Sequence, residues 1–300
     1  MPTLRQLEYL VAVADLNNFG RAAQACNVSQ PTLSQQLHAL EARLGVVLIE
    51  RHSSGAKLTP IGREITARAR RLVVEVRDIR DLARRAGDHL VGTVRFGVTP
   101  TLGPYLMPPI VAALHREQPD LQLHIRDGIP QEQALELSRG GLDMLLGPLP
   151  TEGVDLEVAP LFDERLLLVA ASDHALAARR KLHVDDLAGL QVLCLDRRHH
   201  LHRQVAEICS GYGMEMLRDY EGTSLDSIHQ MAVSGVGLAV LPELYIRSDV
   251  LGREGSVVLE VEGWDFTRTI AAAWRTGAAY SDAYRLIAER IGTEAQQLIG

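Results

Sequence analysis

Three hundred residues are too many for one hydrophobic core, so two or three domains are expected. With 46% hydrophobic residues, no apolar run of membrane-spanning length and no charged-then-apolar leader, the composition is that of a soluble globular chain. Three scattered cysteines, Cys26, Cys194 and Cys209, exclude a disulfide framework and point to a reducing cytoplasm. A net charge of −7 argues against a nucleic-acid partner until it is divided along the chain. Residues 1–86 hold thirteen Lys/Arg against eight Asp/Glu, whereas residues 87–300 hold eighteen against thirty. The basic excess that a phosphate backbone requires is confined to the N-terminal part.

Thr3 with Gln6 forms a capping box opening a first helix to about Leu16, with Leu4, Leu7, Leu10, Val11 and Ala14 as its buried face. Phe19 to Arg51 then reads as two short helices joined by a tight turn. Ala22, Ala23, Ala25 and Cys26 are small enough for close helix–helix approach, which makes Cys26 a packing residue. Asn27 and Val28 break the pattern. Ser29 is an N-cap, and Pro31 falls in the first turn, where its missing N–H costs no ladder bond. Leu33, Leu37, Leu40 and Leu44 form one apolar stripe, and the opposite face shows Gln30, Thr32, Ser34, Gln35 and His38. That is a helix-turn-helix offering short hydrogen-bonding side chains to base edges, or else an ordinary helical hairpin with a solvated face.

Val46–Glu50 reads as a short strand and His52–Lys57 as a turn leading to Leu58, together a two-stranded wing. Arg51, Ser53, Ser54 and Lys57 lie where a wing meets phosphates, or where a hairpin tip meets water. Thr59-Pro60 starts a long helix to about Ala86. Ile65, Ala69, Leu72, Val76, Ile79 and Ala83 recur along it at alternating four- and three-residue steps, a coiled-coil-like seam. One small domain cannot cover so long a stripe, so a partner helix is expected. Gly87 to Gly92 reads as a hinge.

From Thr93 the period changes. TVRFGV is a strand, Leu102–Glu117 a helix, LQLHIRD (121–127) a strand, Gln131–Arg139 a helix and GLDMLLGP (141–148) a strand. LEVAPLF, RLLLVAA, DLAGLQVLCLD, a helix near 200–212 and SLDSIHQMAVSGVGLAVLPELYI repeat the alternation. TRTIAAAWR is then a strand and Ser281–Gln297 a last amphipathic helix. Alternating strands and helices imply a parallel sheet flanked by helices, here in two lobes with a cleft between them. GVG at 235–237 lacks the third glycine of a dinucleotide fingerprint, and no GxSxG elbow, Walker loop or HExxH occurs. With no nucleophile–base spacing either, enzyme chemistry is not expected, and neither is a cofactor.

In α/β lobes, ligands gather at strand C-termini and helix N-termini. Thr99 and Thr101 follow the first strand, His199 and His200 open the helix after VLCLD, and Thr223 and Ser224 cap the helix starting near Leu225. Residues 147–148 and 236–237, including Pro148 and Gly237, read as backbone walls. Each Thr or Ser is also simply a helix cap. His199, His200 and His202 beside Asp196 read three ways: a metal cluster, a pocket for an anionic small molecule helped by Arg197, Arg198 and Arg203, or a solvated loop.

The stretch from Leu7 to Leu58 resembles the DNA-binding domain of the LysR-type transcriptional regulators. The resemblance rests on AA at 22–23, VSQPTLSQQL at 28–37, LE at 40–41, LG at 44–45 and ER at 50–51. It implies three segments: a winged helix-turn-helix over 1–58, a dimerising linker helix over 59–87 and a two-lobed periplasmic-binding-protein-like effector domain over 88–300. It also implies a homodimer that assembles into a homotetramer on double-stranded operator DNA, and a small-molecule inducer in the cleft. The implied DNA-contacting set is Ser29, Gln30, Pro31, Thr32, Ser34, Gln35, His38, Arg51, Ser53 and Lys57.

GVTPTLGPYLMP (97–108), PLFDERLLLVA (160–170), LDRRHHLHRQVAEIC (195–209) and GTSLDSIHQMAVSGVGLAVLP (222–242) look most like the peroxide-sensing OxyR branch. In that branch a reactive cysteine opens the helix after the LCLD-like strand and a resolving cysteine follows nine residues later. Cys209 matches the resolving position, but His200 occupies the reactive one. Pro130 replaces a hydroxyl residue and Arg203 an acidic one, leaving Thr101 and His199 of that constellation. Sensing by reversible occupancy is therefore expected, with a redox switch through Cys209 and Cys194 as the alternative. A cytoplasmic binding protein whose N-terminal helices only oligomerise is the remoter one.

Overall fold

A computed structural model of the chain describes residues 1–52, 55–84, 92–119, 121–151, 153, 155–179, 181–250 and 254–300. Local signals set the N-terminal elements. The Thr3–Gln6 capping box closes in both directions and opens α1 (Leu4–Leu16), which ends at left-handed Asn17. Asn18 caps α2 (Phe19–Ala25), and Ser29 caps α3 (Gln30–Leu44), which stops at left-handed Gly45. Leu33, Leu37 and Leu40 are buried, each contributing roughly 1.5–3 kcal/mol. The buried face of α1 differs from expectation: Gln6, Tyr9, Leu10 and Val13 are buried, while Leu4, Leu7, Val11 and Ala14 are half-buried. Because α1 packs against α2, α3 and a further helix, α4 (Pro60–Arg84), a wider arc is covered than one stripe predicts.

The wing is a hairpin of β1 (Ile49–His52) and β2 (Gly55–Leu58), with Ile49 opposite Leu58 and Glu50 opposite Lys57. Its first strand thus starts later than Val46. Thr59 accepts the Gly62 N–H at 2.9 Å and caps α4 (Pro60–Arg84). On α4, Ala69 enters the core, and the Arg70 guanidinium grips Asp15 of α1 with two bonds of 2.6 and 2.9 Å. Leu72 and Ile79 are more than half exposed. The expected hinge lies outside the described residues except for Gly92, which begins the next strand.

The chain divides into two compact units, Met1–Asp88 and His89–Gly300. The second contains β3 (Gly92–Val98), α5 (Gly103–Glu117), β4 (Leu121–Asp127), α6 (Pro130–Ser138), β5 (Met144–Pro148) and β6 (Leu156–Ala171). Then come β7 (Leu182–His183), a 3-10 turn, β8 (Gln191–Leu195), α7 (His200–Tyr212), β9 (Glu215–Gly222), α8 (Leu225–Val233) and β10 (Leu238–Pro242). The short α9 (Glu243–Tyr245) is followed by β11 (Ser256–Val258), β12 (Val261–Glu262), β13 (Thr267–Arg275) and α10 (Ser281–Ile299). Among the described residues one sheet runs β4-β3-β5-β13-β6-β10-β8-β9, with β11 also on β6.

That sheet is mixed, not parallel as expected. β4-β3-β5 and β9-β8-β10 are parallel trios, but β13 and β6 run antiparallel to their neighbours between them. The segments LEVAPLF and RLLLVAA are one continuous strand. Its first half pairs with β13 and its second with β10 and β11, so β6 carries the chain from one lobe to the other. Between those two segments stand Asp163 and Glu164, and Glu164 is fully buried and neutralised by Arg268 at 2.8 Å. Among the described residues two large cores and one small cluster result, with the Tyr105 ring packed against both large ones. No helix among the described residues is long and apolar enough to cross a membrane.

Candidate functional site

In the first unit, α3 buries Leu33, Leu37 and Leu40 and leaves Ser29, Gln30, Pro31, Thr32, Gln35 and His38 exposed, with Ser34 half-buried. The Ser29 and Thr32 hydroxyls bond each other at 2.7 Å, which orders the first turn, and His38 Nδ1 lies 3.3 Å from Glu41. Lys57 is exposed on β2. Arg51 lies in β1, its side chain outside the described part, and Ser53 and Ser54 are outside it altogether. One face therefore presents two amides, several hydroxyls, a histidine and a helix N-terminus: donors and acceptors suited to base edges and phosphates.

In the second unit the expected effector residues separate. Thr99, Pro148 and His200 line one small cavity of about 20 Å³, room for roughly one water molecule. Thr99 is buried and its Oγ1 has no hydrogen-bond partner among the described residues. Its backbone is fixed: its N–H donates to Leu146 O at 3.1 Å, and its carbonyl accepts from Leu102 and Gly103, both at 2.9 Å. Gly147 lets this wall close, since a Cβ there would stand 2.8 Å from Thr99 Cγ2. His200 Nδ1 is 3.2 Å from Pro148 O; a carbonyl can only accept, so that nitrogen carries the proton. Pro130, Gln133, Leu146 and Thr151 also line the cavity. Of these Gln133 is buried, its amide held by Val98 O and Arg126 O, a role that only the β3–β4 pairing reveals.

The other expected residues go elsewhere. Thr101 accepts Arg268 Nη1 at 3.0 Å through Oγ1 and Nη2 at 3.1 Å through its carbonyl. It belongs to a buried ion pair in which Arg268 Nε meets Glu164 at 2.9 Å. His199 is buried beside Asp196, 3.8 Å away; burial pulls its pKa below the ordinary value. Thr223 and Ser224 are exposed, Ser224 being the cap of α8, and Gly237 approaches the Gln191 carbonyl. None of these five lines the cavity. Arg197, Arg198 and Arg203 are exposed, and Arg198 is bound to Asp196, whose pKa it draws down to about 2. Among the described lining residues there is no Lys, Arg, Asp or Glu, so the arginines of the anion-binding reading stand outside this cavity.

The cysteines are equally placed by their surroundings. Cys194 and Cys209 are both buried in the second core. Burial pushes the Cys194 thiol up to about 12 and Cys209 up to about 11. Cys194 Sγ is 3.2 Å from His202 Nδ1, a distance that suggests an activating base. The same nitrogen is 2.7 Å from Leu195 O, so it carries the proton, and the ring takes none from sulfur. Cys26, half-buried at the end of α2, also has a raised pKa through burial.

Residues 4–63 match the family described as "Bacterial regulatory helix-turn-helix protein, lysR family", and residues 87–296 the "LysR substrate binding domain". The chain is 35% identical over 288 residues to the DNA-binding transcriptional dual regulator OxyR of Escherichia coli K12, covering 96% of this chain and 94% of that protein. It is 33% identical over 297 residues to the hydrogen peroxide-inducible genes activator of Haemophilus influenzae, covering 99% and 98% respectively. A full-length OxyR variant from Pseudomonas aeruginosa superposes with a TM-score of 0.76 at 33% identity, over 96% of this chain and 94% of that one.

Proposed function

The chain belongs to the LysR family of DNA-binding transcriptional regulators, with strong homology to OxyR proteins, and on that premise we propose how its parts share the work. In this reading α3 enters the major groove, where Gln30, Thr32, Ser34 and Gln35 meet base edges with Ser29, Pro31 and His38 alongside. Arg51, Ser53 and Lys57 meet phosphates from the wing. The stripe on α4 pairs two copies, and two pairs form a tetramer on operator DNA. The exposed polar face of α3 over a leucine core supports the DNA assignment. Replacing Gln30 or Ser34 by alanine should lower discrimination between operator and random DNA by about 1–3 kcal/mol. Lys57→Ala should weaken both and flatten the salt dependence. A mobility-shift titration leaving all three variants at parental affinity would overturn the assignment.

The signal, in our reading, is reversible occupancy of the Thr99–Pro148–His200 cavity. What supports this is His200 in the cavity wall, 3.2 Å from Pro148 O, at the position that the sequence resemblance assigns to the reactive cysteine. Burial raises both the Cys194 and the Cys209 thiol, which disfavours the thiolate that would attack peroxide. An inducer here is uncharged and hydrogen-bonding, meets Thr99 Oγ1, and must part the walls if it exceeds a water in size. The redox alternative is favoured by the peroxide-responsive relatives. Hydrogen peroxide in low excess should leave the operator footprint and the count of alkylatable thiols unchanged, with Cys209→Ser indistinguishable from the parent. A Cys194–Cys209 disulfide that shifts the footprint, and is lost with that variant, would establish the redox reading instead.

A further inference from the structure

Val47 and Leu48 lead from α3 to Ile49, the first residue of the wing, and the backbone of these three is gripped from two sides. The N–H groups of Leu48 and Ile49 both donate to Glu41 Oε1, at 2.8 and 3.2 Å. On the other edge, the Thr59 hydroxyl donates to Val47 O at 2.8 Å and the Thr59 N–H to Leu48 O at 3.0 Å. Thr59 is also the cap of α4, and Gly62 in that first turn comes so close that a Cβ would lie 2.1 Å from Leu48 O. One carboxylate from α3 and one hydroxyl from the start of α4 therefore hold three consecutive residues. The second oxygen of Glu41 faces His38 Nδ1 at 3.3 Å, on the exposed side of α3.

A solvated glutamate near a helix C-terminus is disfavoured by the helix dipole, so its retention there calls for a local partner. Two adjacent backbone donors and an imidazole supply it, through charge-assisted bonds. We propose that Glu41 is a positioning residue for DNA recognition, fixing the wing and the linker helix relative to α3. With the clamp closed, base contacts from α3 and phosphate contacts from the wing are made in one register. This rests on the assignment of α3 to bases and the wing to phosphates.

The test uses the full chain on operator DNA over a salt series, with hydroxyl-radical footprints and thermal melts. Glu41→Ala should melt cooperatively and keep its operator-to-random affinity ratio within about threefold, because the α3 base contacts persist. Its slope of log K against log salt should become shallower by about one for each phosphate that the wing no longer neutralises, and wing protections should fade. Glu41→Gln keeps the acceptor for Leu48 and Ile49 and should restore slope and footprint, which a loss of general stability would not predict. If Glu41→Ala does not melt cooperatively, Thr59→Val opens the grip from the other edge and must flatten the slope likewise. A parental slope and footprint in Glu41→Ala or Thr59→Val, or no restoration by Glu41→Gln, overturns the role of Glu41. A parent footprint with no wing protection overturns instead the wing assignment beneath it.

Discussion

Replacing Arg268 by methionine should destabilise the second unit by about 3–5 kcal/mol, the usual consequence of removing one partner from a buried ion pair. Arg268 on β13 and Glu164 on β6 are both essentially inaccessible to water. Without the guanidinium, the Glu164 carboxylate keeps, among the described residues, the Leu244 N–H at 3.0 Å, and the Thr101 hydroxyl and carbonyl lose the Arg268 donors. Methionine fills much of the volume, so the missing ion pair dominates over cavity formation. Since domains are stable by about 5–15 kcal/mol, a large share of that reserve disappears. Trp264 and Trp274, the chain's two tryptophans, both lie in this unit, so their fluorescence in urea reports its unfolding. Adding Glu164→Gln removes the stranded charge, keeps an acceptor for Leu244 and should recover more than half of the loss. An unchanged midpoint in the single variant would mean that the pair contributes nothing net. The effect should reach the effector cavity as well. Thr101 lies two residues from Thr99, so loosening it frees the wall that presents Thr99 Oγ1.

Val76→Asp in α4 should convert the assembled protein to monomers and reduce operator affinity by about 10²–10⁴-fold, the avidity that disappears when two half-sites are no longer held together. Within one copy Ala69 reaches the core, but beyond it the stripe is left open: Leu72 is 54% and Ile79 55% exposed, with half-buried Val76 between them. Paired against the same stripe of a second copy, each large side chain would contribute roughly 1.5–3 kcal/mol. An aspartate in that seam introduces a charge with no partner. Sedimentation velocity reads the outcome directly. An intact dimer at micromolar concentration would show that another surface holds the copies together.

The two units differ in how much could be read from residue order. Helix starts at Thr3, Ser29 and Thr59, the end of α1 near Leu16 and the leucine stripe of α3 were all legible, because caps and periodicity act over three or four residues. The polar face of α3 followed from that stripe, and the open seam of α4 from its spacing. In the effector unit, element types were mostly legible, but β9 was missed. EMLRDYEG has neither an apolar run nor strict alternation, and it is a strand because β8 offers it a parallel edge. Tertiary structure alone made β6 one strand, by bringing Arg268 to Glu164 across 104 positions. It also withdrew Thr101 from the cavity by a bond spanning 167 positions. Thr99, Gln133, Pro148 and His200 come from four separate parts of the chain and share a wall only after β3, β5 and α7 have packed. Local hydrogen bonding wrote the DNA-binding half into the sequence; the effector cavity was decided by long-range sheet pairing and by which polar groups found partners inside it.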